Sequence, residues 1–306
     1  MKKIDACFFI PVCKSDIQRF LWTIESIRKF CDHYMIYILV DGLRSDFEEI
    51  IPASDYDIEV IYINKPTNRH WGLIWRMQNN GMREALKRND LNDNCIFVKI
   101  DADAVICRQG FIEKAQSFFK NNPTAGQVGQ VFTNIVGLPL KNKGWESYFK
   151  NRFKPTSMLK LWVKFIIEGY NPITSWSKTN QFKSLIYKAR DNGWPDGCFA
   201  IGGSYMLRKE VVEKMEDEDF LLNSPLCSIP DVGEDVLMTP HVYYVGYTAM
   251  DSIGKNGLFA VYGEELIAPP EKFKNEGNFV VHPLKYGYTK TEPTFTEEEL
   301  VRYFID

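Results

Sequence analysis

The stretch that decides the fold is Ile96-Phe-Val-Lys-Ile-Asp-Ala-Asp-Ala-Val-Ile106, an apolar run that contains two aspartates. Side chains two apart on an extended strand point the same way, so the carboxylates of Asp101 and Asp103 can face one small volume of solvent. Paired carboxylate oxygens suit Mg²⁺ or Mn²⁺, because they leave coordination positions open for water or phosphate. The alternative is that two solvated aspartates simply end a strand.

The chain before this stretch alternates between the patterns of strands and helices. Short buried runs rich in β-forming residues predict strands at 6–12, 35–40 and 58–63. Apolar residues at helical spacing predict helices at 17–30 and at about 72–87. This alternation predicts an α/β fold with a mainly parallel, Rossmann-like central sheet and helices on both faces.

The ends of the predicted strands indicate where a ligand would bind. In open α/β sheets the ligand site lies at the carboxyl ends of the strands. Cys13, Asp41 and Asp101 all fall at such ends. One site could therefore collect these three residues.

Composition limits the class of protein. A chain of 306 residues with 45% hydrophobic and 25% charged residues is typical of a globular protein with a large core. The formal net charge of −3 gives no reason to expect affinity for nucleic acid. We expect a single continuous domain over residues 1–306, because the sequence contains no linker, repeat or low-complexity tract.

Cysteine use and hydropathy indicate the compartment. The seven cysteines are scattered and never form a Cys-x-x-Cys pair, which argues against a disulfide framework or a structural zinc site. No secretory signal opens the chain, and no run reaches the roughly 20 apolar residues of a membrane-spanning helix. We therefore expect a cytoplasmic protein, with possible association at the inner face of the cell membrane.

A basic, aromatic segment occupies residues 141–190. It contains eleven Lys or Arg against two acidic residues. Residues 158–167 could form an amphipathic helix on which Lys160 and Lys164 share a face, which would suit an anionic lipid surface. The segment could instead bind an acidic acceptor, or it could be a solvated basic surface over an ordinary core helix.

Four features resemble the GT-A class of nucleotide-sugar glycosyltransferases, most closely the inverting family often called family 2. They are the opening strand and helix from Phe8-Phe-Ile-Pro-Val-Cys-Lys14, Val40-Asp41-Gly42, the series Asn68, Gly72 and Asn79-Asn80-Gly81 leading to Asp101-Ala102-Asp103, and Gly202-Gly203-Ser204 followed by Gly233-Glu234-Asp235. Their order and spacing across about residues 6–240 carry the likeness.

The resemblance implies a donor site and a metal site. Asp103 would anchor Mn²⁺ or Mg²⁺ and Asp101 would assist it, with a late histidine, His282, completing the set. A structural role for His282 in an apolar strand is the alternative. The donor-binding residues implied are Pro11, Cys13, Asp41, Asn68, Arg76, Asp101 and Lys285.

The resemblance also implies where the acceptor reacts. Asp235 would be the general base and Glu234 would hold acceptor hydroxyls, although two acids at a helix N-terminus also suit the helix dipole. Gly202 and Gly203 would let the backbone approach a sugar, or they form an ordinary tight turn. Ser204 and Trp194 complete the predicted acceptor-binding residues.

These implications predict a metal-dependent glycosyltransferase. It would move a sugar from a nucleotide-sugar donor, expected to be a UDP-sugar, to a glycan or lipid-linked acceptor in cell-surface polysaccharide synthesis, with inversion. Within the domain we expect a nucleotide-sugar-binding half at 1–107, an acceptor-binding half at 108–287 and a helical tail at 288–306. The alternatives are a retaining GT-A enzyme and a non-catalytic glycan-binding or scaffold protein on the same fold.

Overall fold

The computed structural model describes most of the chain. The described residues are 3–41, 57–63, 71–132, 146–147, 149, 151, 155–167, 171–223, 233–263, 265–266, 268–285 and 295–306.

The first part of the chain alternates strands and helices, as the sequence predicts. The strands are β1 (Ile4–Cys13), β2 (Tyr34–Asp41), β3 (Ile58–Ile63), β4 (Leu91–Ile100), β5 (Val105–Ile106) and β6 (Ala125–Gly129). The helices are α1 (Ile17–Phe30), α2 (Trp71–Leu86) and α3 (Phe111–Asn121).

The second part contains more helix. Its helices are α4 (Pro155–Ile167), α5 (Pro172–Asp191), α6 (Lys209–Asp217), α7 (Phe220–Asn223), α8 (Glu234–Tyr244), α9 (Pro270–Glu276) and α10 (Glu297–Ile305). Its strands are β7 (Ser204–Arg208), β8 (Thr248–Asp251), β9 (Phe259–Val261) and β10 (Val280–His282).

Seven strands form the central sheet in the order β3-β2-β1-β4-β7-β6-β8. The strands β1 to β4 are parallel to one another, whereas β7 pairs antiparallel with both β4 and β6. A second sheet has the order β5-β10-β9. The predicted α/β architecture with a mainly parallel central sheet is confirmed.

Hydrophobic cores lie on both faces of the central sheet. Alternate side chains of β1 point to opposite faces, as the period of a strand requires. Phe9 packs in one core with Trp75 of α2, and Phe8 packs in the other with Phe20 of α1 and Phe111 of α3. The predicted helices on both faces are therefore confirmed.

The helix α10 packs beside α1 and the small sheet. Its Leu300 and Phe304 share a core with Trp22 and Val105. A capping box at Thr296 and Glu299 begins the helix. The small sheet, which carries the late histidine, is thereby held against the central fold.

Candidate functional site

The turn after β4 and the end of β10 bring three potential metal ligands together. The Nε2 atom of His282 lies 3.2 Å from Oδ1 of Asp103 and 3.6 Å from Oδ2 of Asp101. One ligand atom from each residue lies within 4.8 Å of the other two. The structure therefore joins the Asp-x-Asp turn to the histidine predicted to complete its metal site.

Backbone hydrogen bonds hold the turn in place. The Leu284 amide donates to the Asp103 carbonyl at 2.9 Å, which ties the turn to the segment after β10. The Thr23 hydroxyl lies 2.8 Å from the Ala102 carbonyl and 2.7 Å from the Ala104 carbonyl. Asp103 is thus supported both by the late segment and by α1.

This donor set fits a hard or borderline divalent cation. Two carboxylates and one imidazole are suitable ligands for Mn²⁺, and the carboxylates also suit Mg²⁺. Burial opposes ionisation of Asp103, but His282 and Lys285 together lower its pKa well below the usual range. Asp103 is accordingly held as the carboxylate, the form that a metal ligand requires.

Lys285 lies beside the same group. Its Nζ atom is 3.7 Å from Oδ2 of Asp103, and its side chain also lines the adjacent cleft. A lysine at this place presents positive charge to the cleft, as a predicted contact to a donor phosphate requires.

Gly203 makes the close approach of His282 possible. The Asp101 amide donates to the Gly203 carbonyl at 2.9 Å, which brings this backbone beside the Asp-x-Asp turn. A Cβ atom at Gly203 would collide with the imidazole of His282. The absence of a side chain at this glycine therefore serves the packing of the histidine.

The acidic pair lies at the amino end of α8, on the other side of the glycine pair. A Cβ atom on Gly202 would lie 3.2 Å from the carboxylates of both Glu234 and Asp235. Burial and then the charge of Glu234 raise the pKa of Asp235 to about 7, although the Val236 amide donates to its Oδ1 at 2.8 Å. A carboxyl with this pKa can exchange a proton near neutral pH.

Lys99 joins the acidic pair to the Asp-x-Asp turn, and the sequence did not predict it. Its buried Nζ lies 2.6 Å from Oδ1 of Asp101 and 3.3 Å from Oε1 of Glu234, and it donates to the Gly202 carbonyl. Burial lowers the pKa of Lys99, but the two carboxylates more than offset it and raise the pKa above its usual range. A lysine inside the apolar run before Asp101 was the available sequence signal.

Several of the residues described above line one cleft of about 400 Å³. Its lining includes Asp101, His282 and Lys285 on one side and Glu234 and Asp235 on another. Gly202, Gly203, Tyr262 and Gly263 also line it. The cleft thus brings Asp101 and His282 of the candidate metal group together with Lys285 and the acidic pair.

The other predicted donor residues lie along neighbouring strand ends or on α2. Cys13 at the end of β1 pairs in register with Asp41 at the end of β2. The Cys13 thiol lies 2.7 Å from Oδ2 of Asp16, and burial together with this contact raises its pKa. Pro11 lies within β1, Arg76 is exposed on α2, and Asn68 lies outside the described residues.

Two predicted acceptor residues make internal hydrogen bonds. The buried Trp194 donates from Nε1 to the Cys198 carbonyl at 2.9 Å and packs edge-on against Phe149. The buried Ser204 hydroxyl donates to the Lys99 carbonyl at 2.9 Å. Both side chains are therefore buried and hydrogen-bonded inside the protein, and their acceptor roles stay predictions.

Comparison with known proteins identifies the fold. No family model matches the chain, and no curated protein matches its sequence significantly. The apo structure of the bifunctional glycosyltransferase WbbM superimposes with a TM-score of 0.51 over 99% of this chain, at 12% identity. The fold is that of GT-A glycosyltransferases. The chain covers 50% of the WbbM chain, so it spans about half of that protein.

Two further solved structures give lower scores. A mannosyltransferase from Pyrobaculum calidifontis in complex with GDP-Man and Mn²⁺ has a TM-score of 0.43 and 13% identity, over 83% of this chain and 55% of that one. An active-site mutant of LgtC has a TM-score of 0.42 and 9% identity, over 97% of this chain and 94% of that one.

The helices of the described residues also bear on membrane insertion. Within the described ranges, none combines the length and the apolar character needed to cross a bilayer.

Proposed function

We propose that the protein is a metal-dependent glycosyltransferase that moves a sugar from a UDP-sugar to a hydroxyl group of a glycan or lipid-linked acceptor, with inversion. The observation that carries this proposal is one cleft in which Asp101 and His282, two members of the candidate metal group with Asp103, lie together with Glu234 and Asp235. The GT-A fold supports it, because this fold is shared with a known glycosyltransferase. We further propose that the reaction takes place in the cytoplasm and contributes to the synthesis of cell-surface polysaccharide.

The donor would be held at the metal side of the cleft. Asp101, Asp103 and His282 would hold Mn²⁺ or Mg²⁺, whose positive charge would stabilise the diphosphate as it leaves. Lys285 would add a second positive charge near the same phosphates. Cys13 and Asp41, at adjacent strand ends, would contact the nucleoside.

The acceptor would react at the amino end of α8. Asp235 takes the proton of the acceptor hydroxyl as that oxygen bonds to the anomeric carbon, and the bond from this carbon to the diphosphate breaks. The products are the extended glycan and the nucleoside diphosphate. Glu234, fixed by Lys99, keeps its carboxylate beside the base and contributes to the raised pKa of Asp235.

A screen of nucleotide sugars tests the donor. Purified protein with Mn²⁺ is heated with each candidate, and the true donor is expected to raise the melting temperature in proportion to the logarithm of its concentration. The same donor should be hydrolysed slowly without acceptor. If no nucleotide sugar stabilises the protein or is hydrolysed, the chain is a non-catalytic protein on this fold.

The configuration of the product tests inversion. NMR of the first product formed with a suitable acceptor should show the anomeric configuration opposite to that of the donor. Retention would remove Asp235 from the role of base and identify a retaining GT-A enzyme.

A further inference from the structure

The helices α4 and α5 carry most of the large apolar side chains that the described structure leaves exposed. Eight such side chains are exposed among the described residues, and six of them lie on these two helices. The six are Leu159, Val163, Ile167, Ile173, Trp176 and Tyr187. Scattered exposed apolar residues are normal, but this concentration on one pair of helices indicates an interaction surface.

On α4 the exposed residues form one stripe. Leu159, Val163 and Ile167 are spaced four apart, so they follow one side of the helix. Leu161 and Phe165 on the opposite side are buried in the core. The helix therefore packs on the protein through one face and presents a second apolar face outward.

On α5 exposed and buried apolar residues are also separated. Ile173 and Trp176 are 84% and 57% exposed, whereas Phe182 and Ile186 are buried. The indole of Trp162 donates to the Pro172 carbonyl at 3.0 Å, which ties α4 to the start of α5.

The charge of these helices is opposite to that of the chain. Residues 155–167 and 172–191 contain six Lys or Arg and one acidic residue, within a chain of net charge −3. Lys160 and Lys183 are exposed beside the apolar stripes. The face combines aliphatic residues, a tryptophan and lysines, the composition of helices that lie at a membrane surface.

We propose that the exposed face of α4 and α5 docks on an anionic lipid membrane. Anionic headgroups complement the lysines, and the boundary between headgroups and acyl chains takes up Leu159, Val163, Ile167, Ile173 and Trp176. A free acidic glycan would engage the lysines but would leave the isoleucines in water. A second copy of the chain would bring two basic faces together, which like-charge repulsion opposes.

Sedimentation with vesicles tests the proposal on the full chain without donor, so its outcome is separate from that of the transfer reaction. The protein is expected to sediment with phosphatidylcholine vesicles that contain phosphatidylglycerol, and only weakly with phosphatidylcholine alone. The variant Ile167→Ser/Ile173→Ser/Trp176→Ser should lose at least about tenfold in binding. Lys160→Gln/Lys183→Gln should lose about fivefold for each removed charge.

Matched control variants remove an apolar side chain or two lysines from other exposed parts of the protein. Leu222→Ser changes an exposed apolar residue of α7, and Lys114→Gln/Lys120→Gln removes two exposed lysines of α3. Both should bind like the unchanged protein. Circular dichroism should show every variant folded, because the substituted side chains are exposed.

Three results would overturn the proposal. One is equal vesicle binding by the unchanged protein and the apolar variant, and another is no binding by the unchanged protein. The third is a dimer in light scattering that the apolar substitutions convert to a monomer, which would assign the face to a second copy. If only the lysine substitutions reduced vesicle binding, the membrane would attract the protein by charge without taking up the apolar side chains, which also contradicts the proposal.

Discussion

The Nζ atom of Lys99 lies 3.3 Å from Oε1 of Glu234, and both side chains are buried. Because the same Nζ is 2.6 Å from Oδ1 of Asp101, one cation joins the Asp-x-Asp turn to the acidic pair. A buried charge is stable only while its partners are present. Lys99 therefore fixes how the two sides of the cleft are arranged.

Lys99→Met is expected to destabilise the protein by about 3 kcal/mol, because it leaves two carboxylates without their buried cation. Urea unfolding at neutral pH measures the loss. The double variant Lys99→Met/Glu234→Gln should recover part of it, since one uncompensated charge is then removed.

A surface lysine gives the matched control for this substitution. Lys87 pairs with Glu84 at 2.6 Å but is 62% exposed. Lys87→Met should change the unfolding free energy by less than about 1 kcal/mol. If Lys99→Met were as mild as Lys87→Met, the ion pair would not be a structural link between the two sides.

Asp103→Asn is expected to weaken Mn²⁺ binding at least about tenfold, since an amide replaces a carboxylate ligand. Isothermal titration calorimetry of the protein with Mn²⁺ measures the affinity. His282→Gln should also weaken binding, whereas Asp93→Asn, at an exposed position of β4, should not. Unchanged affinity in both site variants would move the metal away from this group.

Gly203→Ala is expected to weaken Mn²⁺ binding and to cost about 1–3 kcal/mol of stability, because the new Cβ meets the imidazole of His282. Gly263→Ala is the control. Gly263 lines the same cleft, but a Cβ there meets no atom of the described residues within 4 Å. Calorimetry and thermal unfolding should separate the two variants, and equal behaviour would show that the histidine can move aside without loss.

The sequence predicted the elements that local pattern determines. Buried β-forming runs located β1 to β4, and apolar residues at helical spacing located α1 and α2. Asp101 and Asp103 could be predicted as neighbours because a strand fixes the direction of its side chains. The resemblance to GT-A glycosyltransferases added His282 and Glu234 to the predicted site.

The contacts of Lys99 could not be predicted, because they depend on the pairing of β4 with the antiparallel strand β7. That pairing places Ile100 opposite Ser204, and so brings Gly202 and Gly203 beside the Asp-x-Asp turn. No local sequence pattern specifies which strand pairs with β4 on the side away from β1. The burial of Trp194 could not be predicted either, since an isolated tryptophan in a sequence suits a sugar-binding site and a hydrophobic core equally.

Asp235→Asn and the pH profile test the base. Burial, Glu234 and Asp101 raise the pKa of Asp235 to about 7, against the lowering effect of Lys99. Since a base must be ionised to accept a proton, kcat/KM should rise with pH through this range. Asp235→Asn should reduce it about 100- to 10,000-fold.

The carboxyl of Asp235 should make the folded protein less stable as the pH rises, whereas kcat/KM increases over the same pH range. Its pKa in the unfolded chain is about 3.9, so the folded state holds an extra proton between about pH 4 and 7 and loses stability as the pH rises through this interval. Asp235→Asn removes this cost and should raise the melting temperature at about pH 8 relative to the unchanged protein. Asp93→Asn should change neither activity nor melting temperature. A flat pH profile together with an active Asp235→Asn variant would assign the proton transfer to another group.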